Sequence, residues 1–281
     1  MGIDYQGEPV ALLTQHGKEQ LLTPLLAAAL GCKVQHVTGF DTDQLGSFSR
    51  EVPRPGSQRD AARQKAEIGM RLSGLPVGLA SEGAFGPDPM SGMFAWNIEM
   101  LIWLDHRHSL EIVGMAQGTG RCAHLQTTHW AEVQAFAHRE DFPRHQLVLR
   151  PDDQHATRIV KGVADWDTLH AQFQRTQAAS ATGQVFVETD LRAHANPTRM
   201  QTIERAALDL VRRLQSPCPA CAAPGHAAVE NLAGLPCADC GTPTSAKRGE
   251  IWGCVACKHR QTVWRTDLVE ASPAHCPYCN P

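Results

Sequence analysis

The stretch VALLTQHGKEQLLTPLLAAALGCKVQHVTGF, residues 10–40, holds two short apolar runs, VALLT and CKVQHVTGF, on either side of a longer segment, GKEQLLTPLLAAALG. The flanks are short and rich in apolar or β-branched residues, which predicts strands; the middle has the length and apolar content of a helix, interrupted by Pro24. Strand, helix, strand is the unit from which parallel sheets are built, so this stretch sets the class as α/β.

The pattern continues outward. Ser57 is a candidate N-cap for a helix over AARQKAEIGMRL, which Gly74 and Pro76 should end, and PVGLA follows as a short buried strand. NIEMLIWLD and LEIVGMAQ read as strands, then HQLVLR and TRIVKGV, with helices over WAEVQAFAHR and DWDTLHAQFQRTQ. VFVETD is a last strand, and Asn196 with Pro197 opens a helix over TRMQTIERAALDLVRRL. Some neighbouring strands have only short connections, so the expected fold is a mixed sheet with flanking helices over residues 1–215.

Over 281 residues the hydrophobic content is 42%, the charged content 20% and the formal net charge -3, the balance of a globular chain with a sizeable core and no polybasic arm for nucleic acid. The start, MGIDYQGEPVALLT, has neither the basic opening nor the long apolar run of a signal peptide, and no later segment offers the apolar length of a membrane span. A cytoplasmic protein is expected. In a reducing compartment paired cysteines read as metal or redox sites rather than disulfides.

Eight of the ten cysteines lie in residues 216–281 as C-x-x-C pairs: Cys218/Cys221, Cys237/Cys240, Cys254/Cys257 and Cys276/Cys279. Two such turns complete a tetrahedral zinc site, so eight thiolates predict two zinc ions in a small zinc-ribbon-like domain. The order knuckle, polar hairpin, knuckle in PCADCGTPTSAKRGEIWGCVACKHR favours the two middle pairs sharing one ion and the outer pairs the other; sequential pairing is the alternative. All positions on the metal would be taken by protein, which makes the zinc structural. Five basic residues (Lys247, Arg248, Lys258, Arg260, Arg265) balance five acidic ones (Glu230, Asp239, Glu250, Asp267, Glu270) in this tail. Two zinc ions on eight thiolates add negative charge, which disfavours nucleic acid. Cys32 and Cys122 stand alone and read as small buried apolar residues.

Chemistry is therefore expected upstream, in polar clusters at strand ends. Gly17 and Lys18 follow the first strand and start its helix, a place for a phosphate. Asp41 and Asp43 in FDTDQLGSF share a face if that stretch is extended, and such a carboxylate pair suits Mg²⁺ carrying substrate phosphates. Glu82, in LASEGAFGPDP, ends an apolar strand among glycines. Glu188, Asp190, Arg192, His194, Asn196 and Arg199 crowd VETDLRAHANPTRM, as an anion or metal site or as a salt-bridged junction capped by Asn196.

The set HGKE, SEGAFGPDP, ETDLRAHANPTRM, GLPCADCG and CPYCNP resembles, over nearly the whole chain, a bacterial family defined only as a domain of unknown function. Residues 9–115 also resemble inosine triphosphate pyrophosphatase-like enzymes in the order ALLTQHGKE, FDTDQLGSF, Asp60-Ala61-Ala62-Arg63-Gln64-Lys65-Ala66 and GLASEGAFG, with an additional loop over 49–58. That resemblance implies that Lys18 and Lys65 touch phosphates and that Glu82 binds metal or activates water. The function it implies is Mg²⁺-dependent hydrolysis of a small phosphorylated ligand, with Lys18, Asp43, Lys65 and Glu82 as the site. The contrasting expectation is a non-catalytic, zinc-stabilised module for protein or nucleic-acid binding.

Overall fold

The computed structural model describes residues 2–46 and 56–281, so most of the additional loop expected over 49–58 lies outside the described residues. Two compact units emerge: one gathers Tyr5–His108 and Val113–Val211, the other the first residues up to Asp4, Ser109–Ile112 and Arg212–Pro281.

In the first unit, strand β1 (Pro9–Leu13), helix α1 (Lys18–Leu30) and strand β2 (Lys33–Val37) form the opening strand–helix–strand, with β1 and β2 parallel. Helix α2 (Gln58–Ser73) then leads to strand β3 (Val77–Pro87), also parallel to β1. Ser57 and Asp60 close a capping box at the start of α2, and Gly74 ends it in the left-handed region at φ 71°. Strand β4 (Ala95–Asp105) returns antiparallel to β3, and β5 (Leu110–Thr119) completes a five-stranded mixed sheet of order β2-β1-β3-β4-β5. Strand β3 extends well beyond the apolar PVGLA, because the full length of β4 pairs with it from Asp105 to Ala95.

The second half of this unit builds a separate four-stranded antiparallel sheet of order β6-β9-β7-β8. Its elements are β6 (His124–Thr127), α3 (Trp130–Arg139), β7 (Leu147–Pro151), β8 (Val160–Val163), α4 (Trp166–Ala178) and β9 (Val185–Thr189). Helix α5 (Pro197–Leu214) follows, and Asn196 caps it by accepting the Arg199 N–H at 3.0 Å. Each sheet has its own core, the first gathered around Leu13, Ala66, Ala80 and Ile102, the second around Phe136, Leu147, Phe173 and Val187.

The first core is closely packed because its helix–sheet contact is built from small residues. A Cβ placed on Gly78 would lie 2.5 Å from Met70 Cγ and 2.9 Å from the Ala66 carbonyl, and one on Gly69 3.0 Å from Leu13 Cβ. With Ala62 and Ala66 also buried, α2 sits close on β1 and β3, which carries the middle of the helix to the point where β1 has ended and β3 continues.

The second unit contains an antiparallel sheet of β10 (Ala227–Ala233), β11 (Lys247–Gly253) and β12 (Arg260–Trp264) in that order. No described helix is long and apolar enough to cross a membrane.

Candidate functional site

Where β1 stops, the chain turns through Thr14, Gln15, His16 and Gly17. His16 and Gly17 are both left-handed, at φ 67° and 77°, and Gly17 enters α1 without a side-chain cap. The first helical residue, Lys18, therefore turns inward rather than to solvent: it is 5% exposed, and its Nζ donates to the Ser81 hydroxyl and carbonyl, each at 3.3 Å. From α2, Lys65 Nζ donates to Glu82 Oε2 in a buried ion pair. Gln58, at the first turn of the same helix, donates to the Glu82 carbonyl at 2.7 Å and holds α2 to this segment of β3.

On β4, Glu99 is fully buried and accepts from Arg199 Nε of α5 at 2.7 Å; Arg199 Nη1 also donates to the Leu191 carbonyl at 2.6 Å. Gly83, paired with Glu99 across the sheet, leaves the room: a Cβ there would fall 2.3 Å from Glu99 Oε1 and 2.6 Å from Arg199 Nη2. Lys18, Asp43, Lys65, Ser81, Glu82 and Arg199 line one narrow cleft, with room for little more than a water molecule as the side chains stand.

Burial shapes the protonation of this cleft. Desolvation, with the Arg199 guanidinium as the next cause, pulls the Lys18 ammonium down to about 7. His16 is drawn down to about 3, first by burial and then by Lys18 and Arg192, so its ring is neutral near pH 7. Its Nε2 stands 3.8 Å from Asp43 Oδ2. Burial, then Asp41, raises the Asp43 carboxyl above its ordinary value.

The residues singled out from sequence divide as follows. Lys18, Asp43, Lys65 and Glu82 come together in the cleft. Asp41 and Asp43 do not form a pair: residues Thr42–Leu45 are a 3₁₀ turn rather than an extended stretch, and Asp41 caps it by accepting the Asp43 N–H at 3.1 Å. The ETDLRAHANPTRM group separates. Arg199 enters the cleft, and the His194 ring lies 5.6 Å from that of His16. Asp190 accepts from Arg192 Nε, at 3.0 Å, and from the Gly162 N–H; Glu188 accepts from Arg150 at 3.5 Å, and the Asn196 amide donates to the Arg121 carbonyl. Glu99 and Ser81 complete the surroundings and were not anticipated. An acid inside the apolar run NIEMLIWLD is a signal that sequence offers for the first.

The eight tail cysteines form two four-thiol groups able to hold metal ions, Cys218, Cys221, Cys254 and Cys257 in one and Cys237, Cys240, Cys276 and Cys279 in the other. This corrects the pairing expected from sequence, middle with middle and outer with outer, and the sequential alternative as well. Antiparallel β10 and β11 set Ala227 opposite Gly253, so the first knuckle, before β10, meets the third, after β11, at one end of the sheet. The second knuckle lies at the other end, between the two strands, and β12 runs back to deliver the fourth there. The Sγ atoms fit a tetrahedral ion: Cys218 to Cys257 and Cys221 to Cys254 are 3.7 Å apart, as are Cys240 and Cys276, and bonds of about 2.3 Å require edges of about 3.8 Å.

The knuckles repeat one backbone design. The N–H of the first cysteine donates to the carbonyl five residues on, Cys218 to Ala223, Cys237 to Thr242 and Cys254 to His259, at 2.8–2.9 Å. In these three the residue after the second cysteine is left-handed: Ala222 (φ 60°), Gly241 (φ 69°) and Lys258 (φ 62°). Amide N–H groups also point at sulfur, from Ala220 to Cys218 at 3.4 Å and from Ala256 to Cys254 at 3.3 Å.

A mixed α/β unit with a charged cleft, and a small β unit with two Cys₄ groups able to hold metal ions, define the class as an α/β protein with two possible metal sites. The chain belongs to the DUF6671 family, a domain of unknown function, whose model matches residues 65–281. The match takes in Lys65, Glu82, Arg199 and all eight tail cysteines, while Lys18 and Asp43 precede it. No curated protein matches the chain. Neither finding names a reaction.

Proposed function

We propose that the cleft hydrolyses a phosphoanhydride with the help of Mg²⁺, and that a small phosphorylated molecule such as a nucleoside triphosphate is its substrate. The observation that carries this reading is the convergence of three cations and two carboxylates, from α1, α2, α5, β3 and the 3₁₀ turn, at the end of a parallel strand. Lys18 and Arg199 offer their charges to phosphate oxygens, and the uncapped first turn of α1 adds N–H groups. Glu82 and Asp43 are the oxygen ligands suited to a Mg²⁺ ion that also carries phosphates; when bound, the ion neutralises charge developing on the anhydride. Lys65 then serves to hold Glu82 in place. The likeness of residues 9–115 to inosine triphosphate pyrophosphatase-like enzymes motivates the choice of nucleotide.

The contrasting reading, a non-catalytic binding module, is favoured by one fact: Lys65 and Arg199 are each already matched to an acid. One experiment separates them. Pyrophosphate release should be screened over nucleoside triphosphates with Mg²⁺ in the parent and in Glu82→Gln. Turnover that the substitution lowers by about 10²-fold or more supports hydrolysis; equal background in both overturns it.

For the tail we infer zinc as the ion, because two closed sets of four thiolates match its softness and geometry and leave no position for water. Its role is structural, in a cytoplasm reducing enough to keep eight thiols free. Metal analysis returning two zinc per chain is the expected result, and one or none overturns it.

A further inference from the structure

Strand β12 is the last strand of its sheet, and all of its residues, Arg260 to Trp264, are exposed. Its ladder with β11 runs from Gly253↔Arg260 to Gly249↔Trp264 without a shift, whereas the β10–β11 ladder carries two irregularities. Straight, exposed edges offer unsatisfied backbone groups to another strand, and proteins commonly blunt them with bulges or proline. β12 has neither. Trp264 lies across Gly249, with the Arg248 guanidinium 5.2 Å from its ring, and remains 55% exposed.

The direction of the backbone groups follows from the two bonds that flank this ladder. Arg265 N–H donates to the Arg248 carbonyl and Cys254 N–H to the His259 carbonyl, both at 2.9 Å. Antiparallel pairs alternate between bonded and non-bonded, so odd-numbered residues of β12 face β11, while Arg260, Thr262 and Trp264 turn their N–H and C=O groups to the free edge.

We propose that β12 is a self-association edge, on which a second copy of this chain pairs its own β12 antiparallel about Thr262. The sequence selects this occupant. In the register that sets Thr262 against the partner copy's Thr262, Arg260 falls opposite the partner's Trp264 and Trp264 opposite its Arg260, so all three outward-facing residues of each copy find a bonded partner. A register moved by one residue pair leaves one of them unmatched. These residues also share one face of the sheet, so each Arg260, whose guanidinium is held by the exposed Glu230 at 2.8 Å, lies opposite an indole rather than another arginine, and like charges do not meet across the seam. The contact is isologous, as a two-fold dimer requires. A five-residue edge buries far less than the roughly 1,000 Å² of a stable interface, which sets the association at micromolar or weaker.

Sedimentation velocity on the full metal-loaded chain, from about 1 to several hundred micromolar, should show a concentration-dependent monomer–dimer equilibrium. Thr262→Pro removes an outward-facing N–H and no bond to β11; it should raise the apparent dissociation constant at least about tenfold while leaving the metal content unchanged. Thr262→Cys, in a Cys122→Ser background, should cross-link to a disulfide dimer on mild oxidation, since directly opposed Cα atoms in a bonded pair lie about 5.5 Å apart. Gln261→Cys should not. A chain that stays monomeric throughout, or a dimer that is indifferent to Thr262→Pro, overturns the proposal. If Thr262→Pro loses its metal, the cross-link decides: a Thr262→Cys dimer supports the edge and its absence overturns it.

Discussion

At the scale of single residues the cleft is organised by charges held where water would normally be needed. Lys18 is the clearest case, since burial draws it down to about 7 while an unfolded lysine titrates near 10.5. Between those values the unfolded chain binds more protons than the folded one, so the Lys18 contribution to stability rises with pH from about 7 to 10.5 and is least favourable below 7. Lys18→Met should therefore stabilise the protein, by on the order of 1 kcal/mol, in denaturant unfolding at pH 6, with the difference shrinking by pH 9. The same variant should lose phosphate binding. In the parent, affinity for pyrophosphate should fall as pH rises past about 7 and Lys18 loses its proton, a slope that Lys18→Arg should flatten. Glu99 behaves differently. Replacing it by alanine leaves Arg199 buried without its acid and should cost about 3–5 kcal/mol, readable as a lower denaturant midpoint. Lys18 was legible because it opens a helix straight after a strand, and Glu82 because it follows the apolar run PVGLA, where packing gives no reason for a charge; Lys65, in the middle of α2, was reached only through the resemblance to pyrophosphatase-like enzymes. For Glu99 the sequence offers only the oddity of an acid in an apolar run; its partner Arg199 lies 100 residues further on, so the ion pair itself was not legible.

At the scale of elements, small residues and turns decide what meets what. Gly78 admits α2 onto the sheet, and Gly78→Val should overpack that contact at a cost of about 1–3 kcal/mol, moving Lys65 away from Glu82. Gly241 is a cleaner probe of the knuckles: nothing lies within 4 Å of a Cβ there, so Gly241→Ala isolates the penalty of left-handed backbone. A loss of about 1 kcal/mol is expected, seen in the thermal unfolding of the tail. The extended form assumed for FDTDQLGSF failed at this scale, because Asp41 bonds locally to the amide two residues on and favours a turn over a strand. The crossed cysteine groups were within reach. Three strands separate four knuckles, and strands that alternate in direction must leave the odd-numbered knuckles at one end and the even-numbered at the other. Taken alone, the middle hairpin reads as a closed unit, but each of the first three knuckles is followed by a strand that carries the chain away.

At the scale of the molecule, the α/β class followed from the strand–helix–strand opening, while the division of the strands into two sheets did not. Short connections reveal that strands are antiparallel, but not which strand is an edge; only the pairing of β9 between β6 and β7 closes the second sheet without joining the first. Because the four-thiol groups bind opposite ends of one sheet, chelation should unfold the tail unit as a whole. Near-saturating chelator is expected to abolish the antiparallel sheet in a single transition, followed by circular dichroism and tryptophan emission from Trp252 and Trp264.

The crossed arrangement also sets a timetable for biosynthesis. The group built on Cys218 can close as soon as Cys257 has been made, but by then Cys237 and Cys240 have been exposed without the second half of their cage. They wait through the translation of β12 and the segment after it, on the order of seconds at ordinary elongation rates. For that interval the nascent chain carries one complete set of four thiols and one incomplete set, which leaves Cys237 and Cys240 open to oxidants and to competing metals before the fold is finished.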